Sequence, residues 1–167
     1  MPPVTAYDSG EWSDLFIATA GASAALAGLV FVAVSINVER ILKVKGLPER
    51  ALETVLLLLS VVLVSIIGLI PGQGTTALGL ELLAVGIVFG AAIATLSRQP
   101  MPPGVEPGLW LFGRMLVRGL GTLPFVIGAI SLIAGTGGGL YWTVAGIVFA
   151  ITGAVANAWV LMVEILR

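Results

Sequence analysis

The chain has 167 residues, of which 58% are hydrophobic and only 10% charged, with a formal net charge of −1. Soluble domains carry about 25% charged residues, and so short a chain leaves too much surface exposed to hide this much apolar material from water. A water-soluble globule is excluded, and lipid is the solvent that resolves the conflict.

Residues 1–14 are polar and acidic, with Asp8, Glu11 and Asp14 and no Lys or Arg. A secretory signal peptide opens with positive charge, so the apolar run that follows is expected to be retained. That run, 15–38, has no charged residue and exceeds the roughly 20 residues needed to cross a bilayer core. A charged loop, 39–50, holds Arg40, Lys43, Lys45 and Arg50. A second helix is expected at 51–70, stopped by Pro71 and Gly72, and its Leu56–Leu59 run marks it as lipid-facing. The third helix, 77–97, carries Glu81. Four prolines between Arg98 and Pro107 force a loop, since proline cannot continue a helix. The fourth helix, 109–134, is entered past Arg114 and Arg118 and should kink at Pro124. A glycine-rich turn at 135–139 leads to the fifth helix, 140–166. The expected fold is all-α: an acidic N-terminal segment, then one transmembrane domain of five helices over 15–167.

Orientation follows from the cations. Five spans put Arg40, Lys43, Lys45, Arg50, Arg98, Arg114, Arg118 and Arg167 on one side and none on the other. The positive-inside rule then places the N-terminus outside and the C-terminus inside. Trp12, Tyr141 and Trp142 fall at the outer boundary and Trp110 and Trp159 toward the inner one, as amphipathic belts do.

Small residues recur at helical spacing. Gly21, Ala25 and Gly28 form a stripe in the first helix, Gly86 and Gly90 in the third, and Gly146 and Gly153 in the fifth. Lipid supplies no hydrophobic force between helices, so close backbone contact must supply the packing energy. These glycines are expected in helix contacts, within the chain or against another subunit.

Polar groups inside the membrane are the candidate site. Glu81 has no Lys or Arg at its depth. It either snorkels to the outer interface, is protonated, or faces a wet cavity on the side of Ala84, Val88, Ala91 and Thr95, helped by Gln73, Thr75 and Thr76. Asn157 would seek a partner across a helix interface. Glu53, Arg114, Arg118 and Glu164 share the inner boundary, where opposite charges suggest salt bridges.

No enzymatic constellation is present. Cys and His are both absent, which removes the thiolate, the usual general base and the commonest metal ligand, and Ser23 has no base to activate it. No cofactor, metal or nucleic-acid site is expected.

Residues 21–42 (GASAALAGLVFVAVSINVERIL), 47–60 (LPERALETVLLLLS), PGQ at 71–73 and LGLELLAVG at 78–86 together resemble a group of small bacterial multi-helix membrane proteins, some labelled modulator of FtsH protease. The resemblance covers about the first half of the chain. It implies a bacterial plasma membrane and a role exercised through a protein partner.

The expected function is non-enzymatic: assembly in the bilayer, as a homo-oligomer or with another membrane protein. The alternative is a small homo-oligomeric ion channel or transporter with a polar path near Glu81 and Asn157.

Overall fold

The computed structural model describes residues 6–96 and 107–166, with side chains described except at 107–118 and 165–166. Arg98, Arg167 and the prolines at 100–103 lie outside the described residues, as do the side chains of Trp110, Arg114 and Arg118.

Every described element is helical. A short 3-10 turn, Ser9–Trp12, opens into α1 (Ser13–Ile36). Then come α2 (Val38–Lys43), α3 (Leu47–Gly68), α4 (Thr75–Leu96), α5 (Pro107–Ala134) and α6 (Leu140–Leu166). Asp8 starts the opening turn by accepting the Gly10 N–H at 3.0 Å. The charged segment expected as a loop is instead α2 plus the first turn of α3. Pro48 sits in that first turn, where its missing N–H would have had no partner in any case. Gly46, at φ 91°, makes the entry turn.

Four helices are long and apolar enough to cross a membrane: α1 with its leading turn, α3, α4 and α6. The described apolar stretch of α5, Gly119–Ala134, is shorter. The helix itself runs on through Pro124.

Helices α3, α4, α5 and α6 close a four-membered ring by sequential contacts, α6 returning to α3, while α1 lies outside against α3. The core joins Leu57, Leu58, Val61 and Val64 of α3 to Leu78 and Leu82 of α4, Phe125 and Ala129 of α5, and Ile147 and Ala150 of α6. The expectation that α3 faces lipid is therefore corrected. Leu57 and Leu58 are each only 1% exposed, because α3 touches α1, α4 and α6 at once. It also buries Thr54, Ser60 and Ser65. The Thr19 and Ser65 hydroxyls meet at 2.9 Å between α1 and α3, the kind of bond that joins helices in lipid.

Residues 6–12 do not hang free. The Leu140 N–H donates to the Ala6 carbonyl at 2.8 Å, and the Gly138 N–H donates to the Tyr7 hydroxyl at 3.2 Å. Trp12 meets Tyr141 edge to face, with ring centroids 4.8 Å apart. The turn they clasp needs φ values of 92° at Gly137 and 104° at Gly138, which only glycine adopts without strain. Ser131 ties the turn down, donating to the Thr136 carbonyl and accepting the Gly139 N–H at 2.7 Å. Trp142 adds a bond from Nε1 to the Gly137 carbonyl at 2.8 Å.

The bundle thus has two unlike ends. The end with the clasp, the 71–74 loop and the 135–139 turn carries Asp8, Glu11 and Asp14 and no Lys or Arg. The other end carries Arg40, Lys43, Lys45 and Arg50 around α2.

Candidate functional site

Glu81 stands six residues into α4, about 9 Å from its start at 1.5 Å per residue. The partner its position seemed to deny it comes from the preceding loop. Gln73 Nε2 donates to the Glu81 carboxylate at 2.6 Å. Pro71 and Gly72 turn the chain there, with Gly72 at φ 70°, and bring Gln73 back over the first turns of α4. The Gln73 carbonyl oxygen is buried without a hydrogen-bond partner. The Glu81 carboxyl group thus has a hydrogen-bond donor within the chain without any cation at its depth.

The remainder of that helix face is not a cavity wall within the chain. Ala84, Val88, Ala91 and Thr95 are exposed on the outside of the bundle, and α4 packs inward through Leu78, Gly79, Leu82, Gly86, Phe89 and Ile93. The reason is register: Glu81 is one residue away from the buried Leu82, about 100° round the helix.

Asn157 lies in the opposite half of the bundle. Leu161, one turn further along α6, packs with Leu47 and Ala51, so Asn157 stands near the level of Glu53 and Thr54. Its Nδ2 is enclosed and makes no hydrogen bond with a described residue. Glu53 is 6% exposed and is not without a partner. A Cβ placed on Gly121 would come within 2.9 Å of Leu57, so α5 brings position 118 near the depth of Glu53. Glu164 is half-buried and lies about two turns beyond that level along α6. Glu81 and Asn157 therefore lie in opposite halves of the bundle. Among the described residues no group of three Asp or Glu gathers as a metal-ligand set.

The small-residue stripes part company. In α4, Gly86 is buried and a Cβ there would lie 2.8 Å from Val126, while Gly90 faces Thr122 at 3.5 Å. In α6, Gly153 is buried and a Cβ on Gly146 would sit 2.6 Å from the Phe125 ring. The stripe of α1 behaves differently: Gly21, Ala25 and Gly28 are all exposed, and a Cβ on Gly21 or Gly28 would meet nothing within 4 Å. Of the two contacts expected for this stripe, within the chain or against another subunit, the first is not made among the described residues. Phe16, Thr19 and Ser23 turn toward α3, and at 100° per residue the glycines point roughly the other way.

Thr19 and Ser65 were not legible as a pair, because each is an isolated hydroxyl in an apolar run. No known protein family, curated protein or solved structure matches the chain.

Proposed function

We propose that the chain is a non-enzymatic protein of the bacterial plasma membrane with five spans, acidic end outside. It acts by assembling through the outward face of α1. The contact is with a second copy or with another membrane protein. The observation that carries this reading is the open stripe of Gly21, Ala25 and Gly28. The described glycines of α4 and α6 face a neighbouring helix, whereas a Cβ on Gly21 or Gly28 meets nothing within 4 Å. Small residues at helical spacing let two backbones approach, and that approach is what holds helices together in a bilayer. The five-span topology draws support from the one-sided cations and from the length of α5. The membrane and partner role draw support from the resemblance of residues 21–86.

Disulfide trapping of Ala25→Cys in intact membranes tests the assembly. Cross-linking to itself gives a band at twice the chain mass and assigns the face to a second copy. A discrete larger adduct with a different protein assigns it to a heterologous partner. If Ala25→Cys forms no adduct while a lipid-soluble maleimide labels it fully, the face meets only lipid and the proposal fails.

A further inference from the structure

Between α1 and α6 lies an open groove of about 600 Å³, within the ~300–1,000 Å³ usual for small-molecule sites. One wall is α1 from Leu26 to Ala33, and the other is α6 from Ala154 to Met162. Leu58 of α3 forms the floor and is 1% exposed. Asn37 and Arg40 stand at the mouth nearest the cationic end. The groove exists because α1 and α6 both pack on α3 but touch each other only sparsely.

We propose that this groove seats one acyl chain of an anionic phospholipid, from the leaflet at the cationic end, with the lipid phosphate on Arg40. The inference rests on the reading that the bundle spans a membrane. It does not depend on the α1 contact proposed above, whose glycines lie on a different side of that helix, roughly a third of a turn away.

Length, chemistry and charge agree on this occupant. From Leu26 to Asn37 the α1 wall runs eleven residues, about 16 Å at 1.5 Å per residue. Half of a ~30 Å hydrocarbon core is ~15 Å, so the groove is as long as one leaflet is deep. Its walls are aliphatic until Asn37, whose amide is already committed to the Ala33 carbonyl at 2.9 Å. Polar chemistry therefore begins where a head group begins. Arg40 is exposed and pairs with no described carboxylate. Its planar fork fits two phosphate oxygens at once, and Lys43 and Lys45 follow within the next turn of chain. Basic pockets between membrane helices attract anionic head groups in this way. A helix from a second copy is a poorer occupant on charge. Copies inserted in one bilayer share an orientation, so the copy's own Arg40, Lys43 and Lys45 would meet these at the same depth.

The test uses the full chain purified in detergent and supplied with phosphatidylglycerol or phosphatidylcholine of matched acyl chains. Retained lipid is counted by native mass spectrometry. The wild type should retain phosphatidylglycerol over phosphatidylcholine by about fivefold, the preference one interfacial cation confers. Arg40→Gln should lower that preference several-fold while both lipids are still retained. Ala158→Phe should fill the groove and lower retention of both, and Met162→Trp serves the same purpose should the first variant fail to fold by circular dichroism. Equal retention by the wild type, or an unchanged preference in Arg40→Gln, overturns the head-group assignment. Undiminished retention in a folded groove-filling variant overturns the seat. A self-disulfide of Ala158→Cys in membranes assigns the groove to a second copy and also overturns the proposal. A chain that leaves membranes without detergent instead refutes the membrane reading itself.

Discussion

Gly146 and Gly28 hold similar places in their helices' small-residue stripes, yet their surroundings predict opposite responses. A methyl at Gly146 runs into the Phe125 ring, and Phe125 is fully buried, so neither partner can yield. Gly146→Ala should cost about 1–3 kcal/mol, the usual penalty for overpacking, read as a lower thermal midpoint in detergent. Gly28→Leu adds bulk to open space and should leave the stability of the isolated chain within about 0.5 kcal/mol of wild type. Equal losses in both variants would place Gly28 against a helix and contradict its exposure. At Glu81 the partner is the donor in the loop. Gln73→Leu should cost about 1 kcal/mol, the usual net worth of a hydrogen bond. Glu81→Gln keeps the shape and should be nearly neutral in the same melt. That Glu81 had to find a partner could be read from the sequence; that Gln73 supplies it depends on how the loop folds back.

At the scale of the helix, α3 shows why composition misleads in lipid. A run of four leucines reads as lipid-facing, but lipid and core are equally apolar, so hydrophobicity does not mark the inside. The informative residues were Thr54, Ser60 and Ser65, which α3 encloses; a hydroxyl prefers a protein neighbour to hydrocarbon. Had the polar residues been weighed above the leucines, α3 would have been placed at the centre. The positions of α1, α4 and α6 along the chain were legible because twenty apolar residues in succession have few alternatives. The pairing of helices was not, since many small stripes fit many partners. Centrality has a measurable consequence. Leu57→Ala should destabilise the bundle by on the order of 1–3 kcal/mol, below the 2–5 kcal/mol usual in water, because the methyls removed lose packing but no transfer energy. Leu59→Ala, at a partly exposed site on the same helix, should shift the thermal midpoint by much less. Matching shifts would mean that α3 is not enclosed.

For the molecule as a whole, the five spans proposed from the one-sided cations define a topology that a membrane-impermeant thiol reagent can test. Single cysteines at Gly74 and Gly137 should label from one face of the membrane and a cysteine at Lys45 from the other. Labelling of all three from one face would reduce the number of spans. The clasp of Ala6 and Tyr7 on the 138–140 backbone adds a constraint in time rather than in space. The segment carrying Ala6 and Tyr7 leaves the ribosome well before the turn that receives it. Until α5 and α6 are made and inserted, α1 waits in the bilayer with its amino end unfastened and only α3 to lean on. The clasp is therefore among the last contacts to form, and its closure marks a chain whose final hairpin has reached the same side of the membrane as its first turn.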